Sequence, residues 1–186
     1  TVQAATDMRL AVQRQLDNSG DISSGGKLDL LEDAATLNNG GRIATGGAIT
    51  VAVAHADNAG GQIGTAAGSG ASVALSAQDV NNRGGKMIAD GNLAVTASNG
   101  DLDNSFGLML AQRDAAIAAG VTLLNEQGAI EVAGPAGKLG VQAGTIRNLS
   151  GRIVNVGHGD TDISAGQIVN SGLVAGNGWL GMKAAS

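Results

Sequence analysis

The segment GHGDTD holds the residues whose types and spacing best suit metal binding. His158, Asp160 and Asp162 occupy alternate positions in it. On an extended strand, alternate side chains share a face, so one imidazole and two carboxylates could supply three metal ligands. The alternative is a solvent-facing strand edge or loop in which only Ile163 points inward. The sequence favours this alternative, because no run of units matches the calcium-binding nonapeptide of β-rolls, and we expect no metal.

Other motifs that could bind a cofactor or support catalysis are incomplete. The Gly-Lys pairs end at Lys27, Lys86 and Lys138, and each is followed by an apolar residue instead of the Ser or Thr of a phosphate-binding loop. His55 has only Asp57 as a carboxylate close in sequence, and no nucleophile elbow occurs. The sequence therefore predicts no catalytic residue, no cofactor, no metal and no enzymatic activity.

The composition narrows the class of protein. The 186 residues include 31 Gly but one Phe, one Trp and no Tyr, so an ordinary core rich in aromatic side chains is excluded. Apolar residues still make up 43%, which suits a thin aliphatic core. A net charge of −5 without a basic cluster argues against a nucleic-acid partner. No cysteine is available for disulfides, and no apolar run suggests a membrane-embedded protein.

An internal repeat organises the sequence. Its anchor is an Asn that precedes a Gly and an aliphatic residue, and it recurs every 19 to 24 residues. The eight anchors are Asn18, Asn39, Asn58, Asn82, Asn104, Asn125, Asn148 and Asn170. The aliphatic residue after the Gly is aligned in successive copies as Ile22, Ile43, Ile63, Ile88, Leu108, Ile130, Ile153 and Leu173. Such a repeat indicates a solenoid, in which each copy buries its apolar face against its neighbours.

Each copy also contains a segment with apolar residues at alternate positions. In LAVTA, for example, we expect Leu93 and Val95 to face the core while Ala94 and Thr96 face outward. The pattern of helical repeats is absent, and the variable copy length suits a right-handed better than a left-handed β-helix. The predicted fold is therefore all-β, a right-handed parallel β-helix (a β-solenoid) of roughly eight coils with a period near 22 residues.

Asn and Gly are predicted to form the corners between strands. Gly adopts φ > 0 without a Cβ penalty, whereas Asn tolerates the left-handed region and bonds local backbone. Asn at the same corner of successive coils can also stack into a ladder of side-chain amides. The predicted ladder consists of the eight anchors, and the predicted corner glycines are Gly20, Gly40, Gly41, Gly60, Gly84 and Gly85.

Residues 1–186 are predicted to form a single repeat array, a fragment of a longer shaft. Residues 105–120 are its most divergent copy. Within it, LMLAQRDAAIAA at 108–119 lacks a Gly pair and is rich in helix formers, and Gly120 stands where a helix C-cap could lie. A degenerate coil with strands is the preferred interpretation, and a short helix is the alternative.

The recurring pattern L-x-N-x-G-G-x-I-x-x-x-G-x-L-x-V-x-A resembles the filamentous haemagglutinin repeat. LNNGGRIATGGAITVAV and VNNRGGKMIADGNLAVTA show it well, and the resemblance is weakest at 105–120. That family forms the shafts of large bacterial exoproteins exported by two-partner secretion, including adhesins and contact-dependent growth-inhibition toxins. The resemblance implies a β-helical rod, secreted or at the bacterial cell surface. It also implies an outer-membrane transporter as partner of the whole protein, and a host or neighbouring-cell receptor contacted by other regions.

These observations predict a structural shaft segment that spaces a distal binding or toxic tip from the cell. One alternative is that the segment itself is an adhesive module that binds a receptor or glycan through a flat strand face. A second alternative is a β-helical carbohydrate-active enzyme. The enzyme is disfavoured because the charges are scattered and only Phe106 and Trp179 could provide aromatic faces for a sugar.

Overall fold

The computed structural model describes residues 1–185, and every regular element in that range is a β-strand. The strands are β1 (Val2–Ala4), β2 (Met8–Leu10), β3 (Gln15–Asn18), β4 (Asp21–Ser24), β5 (Leu28–Asn39), β6 (Arg42–Thr45), β7 (Ile49–Asp57), β8 (Gln62–Thr65), β9 (Val73–Ala77), β10 (Asp79–Asn81), β11 (Lys86–Ala89), β12 (Leu93–Ala97), β13 (Leu102–Asp103), β14 (Leu108–Ala111), β15 (Ala115–Leu124), β16 (Ala129–Val132), β17 (Leu139–Asn148), β18 (Arg152–Asn155), β19 (Thr161–Asn170), β20 (Leu173–Gly176) and β21 (Leu180–Ala184).

The strands stack in parallel into two sheets. The first sheet has nine strands in the order β1-β4-β6-β8-β11-β14-β16-β18-β20, and the second sheet has twelve strands. Paired residues come from successive copies of the repeat, as Ile22 and Ile43 do. The protein is thus a β-solenoid of about nine coils with a period of about 21 residues, which confirms the predicted fold class. The ninth coil, β20 with β21, follows the last Asn anchor, so the eight anchors predicted only eight coils.

Each complete coil has three extended segments. The first segment lies in the nine-stranded sheet, and the second and third lie in the twelve-stranded sheet. In some coils the second and third segments form one long strand, such as β5 or β15, whereas β12 and β13 are separate. The pairing register shifts between Glu32 and Thr36 in β5, and between Ala119 and Thr122 in β15. These shifts mark the junction of the second and third segments.

The core is a thin aliphatic column between the segments. The first inward position of the second segment is occupied in successive coils by Leu28, Ile49, Val73, Leu93, Ala115, Leu139 and Thr161. The predicted orientation of β12 is confirmed, because Leu93 and Val95 are buried whereas Ala94 is exposed and Thr96 half-buried. The same alternation packs each coil on the next and leaves small side chains on the outside.

The divergent copy also forms strands. The alternative of a helix over 108–119 is wrong, because β14 and the first half of β15 lie in that range and pair with the coils on both sides. Three residues in the predicted alignment of inward aliphatics are displaced by one position. Met87, Met109 and Val174 pair with the neighbouring inward residues, whereas Ile88, Leu108 and Leu173 are not among the buried residues.

Candidate functional site

A ladder of side-chain amides runs along one corner of the solenoid. Each anchor except the last donates a hydrogen bond from its Nδ2 to the Oδ1 of the anchor one coil ahead, at 2.6–2.8 Å. These seven bonds connect, in order, Asn18, Asn39, Asn58, Asn82, Asn104, Asn125, Asn148 and Asn170. All anchors except the last are buried. The ladder therefore gives each buried amide from Asn39 to Asn148 a donor on one side and an acceptor on the other.

Each ladder amide except the last also binds the backbone of the following coil. The Nδ2 of Asn39 donates to the carbonyl of Gln62 at 3.1 Å, and that of Asn104 donates to the carbonyl of Ala129 at 3.1 Å. Equivalent hydrogen bonds to backbone carbonyls are donated by the Nδ2 of Asn18, Asn58, Asn82, Asn125 and Asn148. Because each carbonyl lies at the start of a first segment, the amides hold the corner of one coil against the next coil's first strand.

The predicted corner glycines lie beside the ladder, but the reason given for them holds at only two positions. Gly60 and Gly84 have φ of 68° and 64°. The prediction of a positive φ is wrong for the other four, Gly20, Gly40, Gly41 and Gly85. A Cβ on Gly41 would overlap the carbonyl oxygen of Gly20, and one on Gly85 would overlap that of Asn58, so close approach of the previous coil excludes a side chain there.

The corners come in two lengths, which differ by one residue. In the longer corners the residue two positions after the anchor has positive φ. These residues are Gly60, Gly84, Phe106, Gln127 and Ser150. Asn82 then reaches its inward residue, Met87, after five positions, whereas Asn39 reaches Ile43 after four. Residue type is a poor guide to these corners, because Phe106, at φ 59°, occupies a conformation that favours Gly or Asn.

The residues considered for metal binding lie at the turn before β19 and on that strand. His158 and Asp160 are exposed in or next to the turn, and Asp162 is exposed on β19. Within residues 1–185 no group of three His, Cys, Asp or Glu side chains is arranged to hold a metal ion. Thr161, between the two carboxylates, points into the core, and its Oγ1 has no hydrogen-bond partner.

His55 contacts a carboxylate that sequence proximity did not suggest. Its Nδ1 lies 2.6 Å from the Oδ2 of Asp79, and both side chains are about half exposed. The two residues are paired across adjacent coils, so coil register, and not closeness in sequence, brings them together. The pair lies on an open strand face, where water has free access, and this is unfavourable for chemistry that depends on a desolvated site.

Two other surface carboxylates are fixed by hydrogen bonds. The side-chain amides of Asn38 and Gln15 donate to Asp17 and lower its pKa. The backbone N–H groups of Gly70 and Gly68 lower the pKa of Asp90, because donors that point at a carboxylate stabilise its charged form. The Asp90 contact fastens the loop between β8 and β9 to the following coil.

The outer face of the second segments is flat and consists largely of small residues. One row along the axis is Ala94, Ala116, Gly140, Asp162 and Gly181, and the next is Thr96, Ala118, Gln142, Ser164 and Lys183. At its carboxy-terminal end is a cleft of about 390 Å³ that Asp162, Ser164, Trp179 and Lys183 help to line. Trp179 is 60% exposed, and its ring lies over Gly181. Sequence reasoning had noted Trp179 but had not grouped it with these polar residues.

A stack of parallel coils with a buried amide ladder defines a repeat protein of the parallel β-solenoid class. The haemagglutinin repeat family model matches residues 1–32, 33–71, 63–106 and 136–176. These matches cover most of the protein, which therefore belongs to the haemagglutinin repeat family, as the sequence resemblance predicted. The unmatched internal stretch, 107–135, includes most of the divergent copy. No curated protein and no solved structure matches the sequence.

Membership of this family supports a structural shaft or adhesin-type segment. Haemagglutinin repeats are typical of secreted or cell-surface adhesins, and the family is in general non-enzymatic. In the part of the protein that the structure describes, no helix has the length and apolar character needed to cross a membrane.

Proposed function

We propose that this protein is a rigid segment in the shaft of a large secreted bacterial surface exoprotein, where it spaces a distal binding or toxic tip from the cell. The observation that carries the proposal is the continuous stacking of nine coils on one core with one amide ladder. Strands about 4.8 Å apart give the nine coils a length of about 40 Å along the axis.

Rigidity follows from the way neighbouring coils are joined. Each coil is bound to the next by parallel backbone hydrogen bonds in both sheets, by aliphatic side chains and by an anchor amide. Bending the rod would have to stretch all three kinds of contact on one side at once. A spacer needs this property, because a flexible polypeptide of the same length would have its ends much closer together on average.

We propose further that residues 1–186 form a single array within a longer shaft. At the amino-terminal end, Val2 is 51% exposed although its partner Ile22 is buried. At the other end, the inward residues Leu180 and Met182 are 39% and 48% exposed. A further coil at each end would bury these side chains and pair the open strand edges. Residues 105–120 then form a degenerate coil of the same array.

The whole protein would be exported by two-partner secretion, with an outer-membrane transporter as its partner, and would be secreted or held at the cell surface. Family membership supports this route. The absence of cysteine also suits a polypeptide that stays unfolded during export, since no disulfide has to form or be reduced on the way.

An internal duplication tests the shaft. Repeating residues 126–148 directly after Asn148 adds one complete coil in phase. Small-angle scattering should show a rod that is longer by about 4.8 Å for each added coil at constant cross-section. Repeating only residues 126–137 breaks the phase and should lower the melting temperature instead. A duplicated protein that widens without lengthening would contradict the proposal.

A second candidate function is that the segment itself adheres to a glycan, and the Trp179 cleft is the observation that favours it. An exposed indole ring offers an apolar face, and Asp162, Ser164 and Lys183 add hydrogen-bonding groups beside it. Glycan-array binding by the isolated segment that is lost in Trp179→Ala and kept in Phe106→Ala would support adhesion. If neither the wild-type segment nor either variant bound a glycan, adhesion would be contradicted and only the spacer role would remain.

A further inference from the structure

Three Asn-Gly dipeptides occur in the sequence, Asn39-Gly40, Asn99-Gly100 and Asn177-Gly178, which are chemically identical but lie in different surroundings. Asn39 is buried in the amide ladder, whereas Asn99 and Asn177 are exposed. We propose that Asn99 and Asn177 are sites of spontaneous deamidation in the folded protein, and that the ladder protects Asn39 from the same reaction.

The reaction needs only the protein and water. The backbone nitrogen that follows the Asn loses its proton and attacks the Cγ of the Asn, so a new bond between nitrogen and carbon closes a five-membered succinimide. The bond between Cγ and Nδ2 breaks, and Nδ2 leaves as ammonia. Water then opens the ring at either carbonyl and gives aspartate or isoaspartate. Gly is the most favourable following residue, because it has no Cβ to hinder the attacking nitrogen.

At Asn39 both reacting groups are held. Its Oδ1 accepts from the Nδ2 of Asn18 at 2.7 Å, and its Nδ2 donates to the Oδ1 of Asn58 at 2.6 Å. The N–H of Gly40 donates to the backbone carbonyl of Asn18 at 3.0 Å. Attack would require these hydrogen bonds to break and the amide to leave a site where Asn39 is 1% exposed.

At the other two dipeptides the groups are less restrained. Asn99-Gly100 lies in a bend between β12 and β13, and Asn177-Gly178 lies in a bend between β20 and β21. Within residues 1–185, neither Gly100 nor Gly178 donates a backbone hydrogen bond in these bends. The Asn177 amide makes one bond, from Nδ2 to the carbonyl of Val156 at 2.8 Å, and it is exposed to water.

The distribution of sites matters for the stability of the rod. Conversion of Asn99 or Asn177 adds a negative charge to exposed corners. Conversion of Asn39 would instead bring a carboxylate oxygen against the Oδ1 of Asn58, and a buried acceptor would lose its donor. The ladder thus prevents the modification that would interrupt it.

Peptide mapping by mass spectrometry tests the proposal on the intact protein. After incubation at mildly alkaline pH, Asn99 and Asn177 should gain the mass that marks conversion of an amide to a carboxyl group. Asn39 should convert more than about tenfold more slowly, because its reaction must wait for local opening of the coils. In urea all three should convert at similar rates, which would show that the difference comes from the fold.

Asn58→Ala provides a matched variant, because it removes the acceptor of the Asn39 amide while the dipeptide stays the same. In that variant Asn39 should convert faster, with the Asn99 rate unchanged and the β-sheet circular dichroism retained. Equal rates at Asn39 and Asn99 in the folded wild-type protein would overturn the proposal. So would intact Asn99 and Asn177 under conditions in which the unfolded protein converts.

Discussion

At the scale of single residues, the amide of Asn is the group that best suits the ladder corner. One side-chain amide supplies both a donor and an acceptor, so identical residues can bond in a column without alternation of type. Asp at the same position would offer only acceptors when ionised, and Ala would offer neither. The ladder also depends on burial, because water would otherwise replace the partners of each amide.

Asn82→Ala should lower the free energy of unfolding by about 2–3 kcal/mol, because it leaves the Nδ2 of Asn58 and the Oδ1 of Asn104 buried without their ladder partners. The neighbouring Asn81→Ala removes only part-buried or exposed hydrogen bonds and should cost less than about 1 kcal/mol. Urea denaturation measures both. A loss for Asn82→Ala no larger than that for Asn81→Ala would mean that the ladder contributes little to stability.

Gly41→Ala should destabilise the protein by about 1–3 kcal/mol, because the new methyl group would overlap the backbone of Gly20 in the coil before it. Gly40→Ala is the matched control, since Gly40 has no positive φ and no atom within 4 Å of the position of a Cβ. It should change stability by no more than about 0.5 kcal/mol. Thermal melts of the two variants would show whether close approach between coils requires Gly at one position and not at the next.

Calcium or zinc should leave the melting temperature unchanged, because His158, Asp160 and Asp162 do not form a metal-binding group in the structure. A cation that bound the native state would raise the melting temperature by mass action. Differential scanning calorimetry with and without a chelator measures this. A metal-dependent rise that disappears in Asp160→Ala with Asp162→Ala would show that these carboxylates bind the cation.

At the scale of elements, the sequence was informative wherever one strand face alternates strictly. In LAVTA the inward residues could be read directly, because a shift of one position would expose Leu93 and Val95. Around Met87 and Met109 the neighbours are also apolar, so a shift of one position leaves the pattern equally hydrophobic. Only pairing with the adjacent coils, as between Met87 and Ile63, distinguishes the two registers.

The alignment of the repeat also accounts for part of the candidate site. The repeat placed the anchors one coil apart, so an amide ladder could be proposed from sequence. The contact between His55 and Asp79 follows from the same alignment, because each residue lies three positions before its anchor, but a search for carboxylates close to His55 in sequence did not find it. The left-handed conformation of Phe106, Gln127 and Ser150 follows from their place in the longer corner and is not marked by their residue types.

Val95→Asp should disrupt the array, since Val95 is fully buried and a carboxylate there would be unpaired in an aliphatic core. Thr96→Asp, on the outward face of the same strand, should change the free energy of unfolding by about 1 kcal/mol or less. Circular dichroism and thermal melts compare the two. Greater damage from the Thr96 change would contradict the orientation of β12.

At the scale of the whole molecule, stability should vary along the axis. Inner coils contact a coil on each side, whereas the terminal coils contact only one, and the inward residues of the last coil are partly exposed. In such arrays, stability is approximately a sum of the contributions of single repeats and of the interfaces between neighbours. We therefore expect backbone amides in β9, β12 and β15 to exchange with deuterium more slowly than those in β1, β2 and β21.

Hydrogen exchange also tests whether residues 1–186 act as one array. The divergent copy is bound by the same pairing as the others, with Met109 between Met87 and Ile130, so it should be as protected as its neighbours. After tandem duplication of residues 126–148, the backbone amides of both terminal coils should still exchange rapidly. The number of slowly exchanging coils between them should increase by one. If β14 and β15 opened before the terminal coils, the rod would consist of two units joined near residue 108, and bending would concentrate there.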